Sequence, residues 1–398
     1  MNSLGGLLDA VADQPGLVAF TDGKQWLVAW ALDELTVTSW PHLEALAAAT
    51  PAPPLAPRDQ AGSWPISDFT GGLAVQLPYE FPDQPGRAWS LDRWAAWDGN
   101  AWRLHSLSAL PAAAPLPPAL LEGPLRPAQD AAWHARQVRA CLDAIAAGEV
   151  YQLNLTLAFN GRLGPGPHRD WAAFRQLIAT SPAPWSAFFR GRDGSVASHS
   201  PECLLQVHGQ QAWSEPIKGT RRRRPGDDAA MRAELASSPK DAAELTMIVD
   251  LVRNDLGRHA VPGSVQVAHR GAVMDLDYVH HRYSRVTATL HPGTTPVTAL
   301  RALFPAGSIT GAPKLRAMHW LRQLEHDPRG AYCGAFGIVS SHDAALAVPI
   351  RTAEITGQDL TVHAGGGIVA DSDPAAEWAE LNAKVGGMAR ALGQDHHT

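Results

Sequence analysis

Lysine is rare in this sequence and falls mainly within its most motif-like segments. The 398 residues include 33 basic residues, of which only five are lysine. Arginine stays protonated, whereas a lysine amine can lose its proton and act as a nucleophile. The few lysines therefore mark candidate chemistry, although codon bias toward arginine would explain their scarcity equally well. Lys24 lies in a TDGK turn, and the four motif lysines are Lys218, Lys240, Lys314 and Lys384.

Lys218, in the segment PIKGT, is the strongest candidate nucleophile. It follows a predicted strand and precedes the run Arg221–Arg224. We expect these neighbouring cations to lower the pKa of its amine and enlarge the neutral, nucleophilic fraction. Glu202 lies 16 residues earlier, and a hairpin would bring its carboxyl group within reach of the amine. The alternative is a turn lysine in solvent, beside an arginine run that forms a solvated loop.

Carboxylates on two predicted helices form a second candidate site. Glu377, Glu380 and Lys384 are spaced i, i+3 and i+7, so they share one helical face. Glu244 lies near the start of another predicted helix. Glutamates from two helices that face one cleft can hold Mg²⁺ and leave coordination positions open for a substrate carboxylate. An exposed Glu–Lys helix face is the competing interpretation.

Two glycine-rich segments could bind an anion through the main chain. Residues 307–314 read GSITGAPK and residues 364–370 read AGGGIVA. Neither has the spacing of a phosphate-binding or dinucleotide-binding loop. Glycine still lets a ligand approach backbone N–H groups closely, which suits a carboxylate.

The composition is that of an ordinary globular protein. Hydrophobic residues make up 45%, and the net charge of −6 argues against a nucleic-acid-binding surface. Three widely spaced cysteines form neither a disulfide framework nor a metal-ligand spacing, which is typical of a reducing compartment. The N-terminus is a poor signal peptide, and no apolar run approaches the roughly 20 residues that cross a bilayer. We therefore expect a cytoplasmic protein without a membrane segment.

The sequence divides into three predicted regions. Residues 1–110 carry short apolar bursts and eight of the 14 tryptophans, which predicts a β-rich region with a hairpin turning at Asp98-Gly99. Residues 111–129 are rich in Pro and Ala and predict a connector. In residues 130–392 helices do not alternate strictly with strands. This pattern favours an α+β fold with largely antiparallel sheets.

Three helices in the last region have clear start signals. Asp130 is a predicted cap for the first, and Ser238-Pro239 begins a second that runs to about residue 256. Asp373 and Pro374 begin a third, which runs to about residue 392. The second and third helices carry the candidate carboxylates.

Together these segments resemble the chorismate-utilising enzymes, which include anthranilate synthase component I, aminodeoxychorismate synthase component I and the isochorismate and salicylate synthases. The similarity covers roughly residues 130–392. It is carried by GEVYQLNLT, PIKGT, ELTMIVDLVRNDLGR, FPAGSITGAPKLRAM, YCGAFGIVS, IRTAEI and GGGIVADSDPAAEWAELNAK. The resemblance implies a catalytic region at 130–392 and a large two-layered α/β sandwich of mostly antiparallel sheets. Its helices would lie outside and its active site in a central cleft.

Two positions distinguish members of this family. Members that add water carry a lysine base where this sequence has Gln152, so the resemblance disfavours isochorismate and salicylate synthesis. Anthranilate synthases usually read PIAGT where this sequence reads PIKGT. A lysine at position 218 is typical of the aminodeoxychorismate branch, which leads to p-aminobenzoate and folate. Anthranilate synthase component I is the alternative.

The resemblance also implies a mechanism with Mg²⁺ as cofactor. Glu244 and Glu380 would hold the ion, with Glu377 behind them or acting through water. Glu202 would protonate the departing C4 hydroxyl of chorismate, and the Lys218 amine would attack C2. Ammonia would then add at C4 and expel the lysine, which yields 4-amino-4-deoxychorismate.

The same resemblance assigns substrate-binding residues. Arg351 would pair bidentately with the enolpyruvyl carboxylate, assisted by backbone N–H groups around Gly366 and Gly367. The other implied pocket residues are Thr310, Lys384, His281, Gln152 and Thr220.

The sequence departs from the usual family pattern at a few positions. Cys203 stands where an arginine usually follows the general acid, and Arg282 and Tyr283 stand where aliphatic residues are common. No glutaminase-like region and no fused lyase domain are recognisable. We therefore expect a separate glutamine amidotransferase subunit that delivers ammonia. Two other classes stay open: a pyridoxal-phosphate enzyme with a Schiff base at Lys218, and a binding module without catalysis.

Overall fold

The computed structural model describes residues 4–30, 33–50, 64, 66, 69–106, 116–224, 226–277 and 279–394. Within these ranges the helices are α1 (Leu4–Ala10), α2 (Trp40–Ala49), α3 (Ala131–Ala146), α4 (Arg169–Thr180), α5 (Asp228–Ser237), α6 (Pro239–Gly257), α7 (Pro296–Leu303), α8 (Lys314–Leu324) and α9 (Pro374–Ala391). A 3₁₀ turn spans Gly307–Ile309. No helix in the described ranges is both long and apolar enough to cross a membrane.

The strands form two large sheets. They are β1 (Val18–Thr21), β2 (Trp26–Ala29), β3 (Glu34–Val37), β4 (Leu73–Leu77), β5 (Gly86–Ser90), β6 (Trp94–Trp97), β7 (Trp102–His105), β8 (Arg126–Pro127), β9 (Gln152–Arg162), β10 (Trp185–Gly191), β11 (Gly194–Ser200), β12 (Cys203–His208), β13 (Gln211–Glu215), β14 (Ile217–Arg222), β15 (Gln266–Asp275), β16 (Val279–Thr289), β17 (Gly311–Ala312), β18 (Ala335–Val339), β19 (Asp343–Ala347), β20 (Thr352–Thr356) and β21 (Asp359–Ile368).

Both sheets are antiparallel. The first runs in the order β17-β9-β21-β20-β11-β10-β1-β2-β6-β7, with β8 beside β9. The second runs in the order β14-β16-β13-β12-β19-β18-β4-β5-β3, with β15 beside β16. The described strand pairings are antiparallel throughout.

The sheets pack face to face, and helices cover their outer faces. Because side chains alternate along a strand, Phe20 and Phe189 point between the sheets, where they pack with Phe336 of the second sheet. Their neighbours Ala19 and Phe188 point outward, into a core shared with α4 and α9. Helices α6 and α7 cover the outer face of the second sheet. The predicted α+β sandwich with external helices is confirmed.

The strands before residue 110 join both sheets. β1, β2, β6 and β7 extend the first sheet, and β3, β4 and β5 extend the second. The hairpin predicted at Asp98-Gly99 forms between β6 and β7. Residues 111–115 of the predicted connector lie outside the described residues. The domain boundaries at residues 110 and 130 stay predictions.

The helices begin where their start signals predict. The side chains of Asp130, Ser238 and Asp373 each accept backbone N–H hydrogen bonds from the first turns of α3, α6 and α9, respectively. Proline occupies the first turn of both α6 and α9. These caps fix the direction in which the two carboxylate-bearing helices enter the fold.

A buried ion pair joins several of these segments. Arg329 is 1% exposed and chelates Glu325 through N–H···O distances of 2.7 and 2.9 Å. The same guanidinium donates to the carbonyls of Asn154 in β9 and Ile309 in the 3₁₀ turn, both at 2.7 Å. It also lies 4.3 Å from the centre of the Tyr79 ring, which links the N-terminal region to this cluster.

Replacing Arg329 by Met should therefore destabilise the protein by about 3–5 kcal/mol, because Glu325 would keep a buried charge without its partner. The matched control is Arg322→Met, since Arg322 forms an exposed pair with Asp83 and should cost less than about 1 kcal/mol. The measurement is the thermal or urea unfolding midpoint. Adding Glu325→Gln to Arg329→Met should recover part of the loss. Equal effects of the Arg329 and Arg322 variants would contradict this account.

Candidate active site

Lys218 and Glu202 meet at one end of the second sheet. Lys218 lies in β14, and Glu202 directly precedes β12. The pairing of β12 with β13 sets Cys203 opposite Glu215, so the chain returns past Glu202 just before it reaches Lys218. The charges of the two side chains act on each other, as the predicted hairpin requires.

Carboxylates from three elements surround Lys218. Lys218 is half-buried, and burial is the main cause that lowers the pKa of its amine. Glu244 of α6, Glu202 and Glu380 of α9 oppose this shift, while Lys384 adds to it. The two predicted sites, the nucleophile and the paired carboxylates, are therefore one site.

The arginine run does not act on Lys218 as the sequence suggested. Arg221 donates to Glu234 of α5, and Arg223 chelates Asp228 of α5 at 2.8 and 3.0 Å. These arginines hold α5 against β14, so the run is neither a solvated loop nor a main cause of the lowered pKa of Lys218. Burial replaces neighbouring cations as the explanation.

Glu202 is a buried carboxyl group with one direct hydrogen-bond donor. The hydroxyl of Ser308 donates to its Oε1 at 2.6 Å. Burial raises the pKa of Glu202 to about 7, although the Ser308 hydrogen bond and the charge of Lys218 act in the opposite direction. The group can therefore hold a proton near neutral pH, as a general acid must.

The carboxylates of α9 differ in their surroundings. Lys384 lies 2.8 Å from Glu380 and donates to the carbonyl of Gly365 at 2.7 Å. The positive charge of Lys384 is the main cause that lowers the pKa of Glu380. Burial raises the pKa of Glu377, whose Oε1 accepts from the Ser372 hydroxyl at 2.7 Å. Glu380 is thus the better anionic ligand of the two.

The oxygen donors fit the Mg²⁺ that the sequence predicts. No three His, Cys, Asp or Glu side chains among the described residues converge into a ready-made metal site. Mg²⁺ is commonly held by only one or two carboxylates, with water and substrate oxygens completing its shell. Glu244 and Glu380 face the same amine from two helices, so they match this requirement.

Arg351 and two glycines lie beside other residues of this site. Arg351 directly precedes β20 and adopts a positive φ of 54°. A Cβ at Gly366 would lie 2.8 Å from Oε2 of Glu377. A Cβ at Gly367 would lie 2.4 Å from Gln152 Nε2 and 3.7 Å from Lys218 Nζ. Because these residues have no Cβ, a ligand can approach the main chain closely here.

Gln152 and His281 are buried and incompletely hydrogen-bonded. Both amide atoms of Gln152 lack a partner among the described residues. His281 Nδ1 lies 2.9 Å from Thr220 Oγ1, while its Nε2 has no partner within the same ranges. Burial, assisted by the charge of Arg351, lowers the pKa of His281 to about 3, so its ring is neutral. Such unpaired buried atoms suit a polar ligand.

Thr310 differs from Gln152 in that its side chain already has a hydrogen-bond partner within the protein. It is buried, and its hydroxyl donates to the Ala306 carbonyl at 3.0 Å. Its own carbonyl accepts from the backbone N–H of Asn154 at 2.8 Å. These contacts attach the turn that carries Ser308 to β9.

Sequence reasoning missed two residues at this site. Ser308 gave no signal beyond its place in GSITGAPK. Lys240, in the first turn of α6, has a charge that acts on both Glu377 and Glu380. The scarcity of lysine singles out Lys240 in the sequence, but its position there indicates no particular chemistry. Lys314 instead pairs with buried Asp255 at 2.6 Å, which joins α8 to α6.

The unusual Arg282 has a structural explanation. Its guanidinium donates to the carbonyls of Leu235 and Ser238 at 3.3 and 3.0 Å, at the C-terminal end of α5. A cation is favourable at that end of a helix. Tyr283 stacks on His269, with ring centres 5.8 Å apart. Cys203 is buried beside Glu202, and nothing in the structure explains why a cysteine stands there.

Glu202→Gln should stabilise the protein at pH 8 more than at pH 5. Between pH 4.5 and about 7 the unfolded chain ionises this carboxyl while the folded protein keeps its proton. Wild-type stability therefore falls as the pH rises through this window, by up to about 3 kcal/mol, and glutamine removes the loss.

Unfolding midpoints at the two pH values, measured without divalent metal, check this expectation. The control is Glu234→Gln, because Arg221 is the main cause that lowers the pKa of that exposed carboxylate and its replacement should not stabilise. A Glu202→Gln effect of the same size at both pH values would show that burial does not raise the pKa of Glu202.

Known proteins match most of the chain. Residues 92–390 match the family model described as chorismate binding enzyme. An aminodeoxychorismate synthase component 1 from Klebsiella aerogenes is 45% identical over 253 residues, which cover 63% of this chain and 55% of that protein. An anthranilate synthase component 1 from Geobacillus stearothermophilus is 39% identical over 309 residues, which cover 72% of this chain and 59% of that protein. The chain thus spans about half the length of the curated relatives it matches.

The fold is similar to that of a solved family structure. The menaquinone-specific isochorismate synthase MenF from Escherichia coli aligns with a TM-score of 0.81 at 20% identity, over 97% of this chain and 91% of that one. This likeness shows the fold. Because the family model covers residues 92–390, the chain belongs to the family of chorismate binding enzymes.

Proposed function

We propose that the chain converts chorismate and ammonia to 4-amino-4-deoxychorismate, through a covalent adduct at Lys218. The observation that carries the proposal is the pairing of a half-buried amine of lowered pKa with a buried carboxyl of raised pKa, Lys218 and Glu202. Each shift favours the neutral form, which is the form that the reaction needs. Similarity to aminodeoxychorismate synthases at up to 45% identity supports the same reaction.

The first step forms a bond from C2 to the Lys218 nitrogen and breaks the C4–O bond. The neutral Lys218 amine attacks C2 of chorismate, the ring double bonds shift, and the C4–O bond breaks as Glu202 protonates the leaving hydroxyl. Water departs, and Lys218 stays bonded to C2. In the second step ammonia adds at C4, the double bonds shift back, and the bond from C2 to Lys218 breaks. The electron pair returns to the amine, and the proton lost by ammonia restores Glu202.

The substrate carboxylates are bound at the two ends of the site. Arg351 pairs with the enolpyruvyl carboxylate, and the main chain at Gly366 and Gly367 approaches it closely. Glu244 and Glu380 would hold Mg²⁺, which supplies positive charge for the ring carboxylate when it is bound. Gln152 offers an uncharged amide where a basic side chain would activate water, so hydrolysis at C2 is disfavoured.

Position 218 decides the regiochemistry in this proposal. A lysine there occupies C2 and leaves C4 for ammonia, whereas a small side chain would leave C2 open and lead toward anthranilate. Anthranilate synthase activity is the alternative, because an anthranilate synthase is 39% identical to the chain.

The ammonia source is a further part of the proposal. The name "component 1" of the relatives fits a separate partner subunit. We propose a glutamine amidotransferase in that role, and p-aminobenzoate and folate synthesis as the destination of the product. A cytoplasmic location stays a prediction.

Lys218→Ala should abolish aminodeoxychorismate formation and release a 2-amino product, because ammonia can then reach C2. Lys218→Arg is the matched control, since it keeps the charge and the bulk but provides no nucleophile. It should lower turnover at least about 10²-fold without opening C2. Chorismate, Mg²⁺ and ammonium are incubated with each protein, and the products are identified by chromatography and mass spectrometry. Two results would contradict the proposal: anthranilate from the wild type without an added lyase, or an unchanged product from Lys218→Ala.

Glu244→Gln should weaken Mg²⁺ binding at least about tenfold, because it removes one of two anionic ligands. Asp250→Asn is the control on the same helix, since Asp250 is exposed and pairs with Arg253. Calorimetric titration with Mg²⁺ in the presence of chorismate compares the two variants with the wild type. Equal affinity in Glu244→Gln and the wild type would remove Glu244 from the metal site.

A further inference from the structure

Ser308 makes a direct contact with the carboxyl group of Glu202. Its hydroxyl donates to Oε1 at 2.6 Å, and the two residues are only 5% and 4% exposed. A short hydrogen bond between two buried side chains restricts the rotation of both. The contact therefore fixes the plane in which the carboxyl group lies.

Other residues hold the backbone around Ser308 and Glu202 in place. The 3₁₀ turn that carries Ser308 is bound by Arg329, which donates to the carbonyl of the next residue, Ile309. The backbone N–H of Glu202 donates to Ser200 Oγ at 3.2 Å, and its carbonyl accepts from Val348 at 3.1 Å. The hydrogen bond thus joins two rigid supports.

The two carboxyl oxygens of Glu202 are not equivalent. Oε1 accepts from Ser308. Oε2 has no hydrogen-bond partner in the described part of the chain. It is not completely shielded from solvent. Oε2 is therefore the oxygen that a ligand in the cleft can reach.

We propose that Ser308 is a positioning residue that keeps the transferable proton of Glu202 on Oε2, directed into the cleft. Because the Ser308 hydroxyl already donates to Oε1, a proton on Oε1 would compete with that donor. The proton resides on the other oxygen, where it meets the leaving hydroxyl of the substrate. This inference rests on the proposed role of Glu202 as general acid.

Few other groups influence this proton. The titratable groups whose charges interact with Glu202 are Lys218, Cys203 and Cys333. Burial raises the pKa of Cys333 to about 12 and that of Cys203 well above its ordinary value, so both thiols stay neutral near pH 7. Lys218 and the Ser308 hydroxyl remain as the two groups that can change the titration of Glu202.

The test compares Ser308→Ala, which removes the donor, with Ser308→Thr, which retains a hydroxyl. Ser195→Ala is the matched control, because Ser195 is a buried serine whose hydroxyl donates to a different carboxylate, that of Asp170, at 2.5 Å. The carboxyl titration of Glu202 is followed in substrate-free protein by ¹³C NMR, with the signal assigned by its loss in Glu202→Gln. Values of kcat and KM for chorismate are measured with Mg²⁺ and saturating ammonium.

Ser308→Ala should raise the pKa of Glu202, because the lost hydrogen bond favoured the carboxylate. It should also lower kcat about 10- to 100-fold while KM changes less than about threefold, because orientation of the acid matters only in the reaction. Ser308→Thr and Ser195→Ala should keep both the titration and kcat within about twofold of wild type. If Ser308→Ala does not fold, Ser308→Cys replaces it, since a thiol is a weaker donor.

Two results would overturn the inference: an unchanged Glu202 titration in Ser308→Ala, or a Ser308→Thr variant as impaired as Ser308→Ala. Failure of the proposed function would look different. If the wild type made another product, while Ser308→Ala still shifted the titration and lowered kcat for that product, the reaction assigned here would be wrong. The positioning role of Ser308 would then stand.

Discussion

The buried pair of Arg329 and Glu325 is the contact on which the geometry of the site depends. The Arg329 guanidinium donates to carbonyls in β9 and in the 3₁₀ turn. Glu325 accepts hydrogen bonds from the backbone N–H and the hydroxyl of Thr156, both at 2.9 Å. β9 carries Gln152, and the turn carries Ser308. A charged pair costs free energy to bury, but this one is compensated by hydrogen bonds from both partners to neighbouring segments. It therefore fixes the spacing between two walls of the cleft rather than adding apolar stability.

Charge balance explains how the cleft tolerates so many ionisable groups. Lys218, Lys240 and Lys384 stand among Glu202, Glu244, Glu377 and Glu380, so each of these groups has opposite charges nearby. Burial lowers the pKa of Lys218, and the surrounding carboxylates limit that shift. The amine is consequently sensitive to what enters the cleft. A ligand carboxylate or a metal ion changes the balance at the site where the bond is to form.

The sequence predicted local structure better than contacts between distant segments. Caps at Asp130, Ser238 and Asp373 determined three helices because each signal acts within one turn. The division of the N-terminal strands between two sheets left no such signal, since strand pairing depends on distant partners. Lys218 and Glu202 could be brought together through a hairpin argument. Ser308 could not, because 106 residues separate it from Glu202 and only the tertiary fold joins them.

The same physical cause prepares the nucleophile and the acid. Desolvation penalises whichever form of a group is charged, so it lowers the pKa of Lys218 and raises that of Glu202. An exposed lysine and glutamate both stay charged near neutral pH, so the amine is no nucleophile and the carboxylate no acid. Burial shifts both groups toward their neutral forms, in which a carboxyl holds a proton and an amine has a free lone pair. The arginines of the neighbouring run could not replace this lysine, because burial does not neutralise a guanidinium.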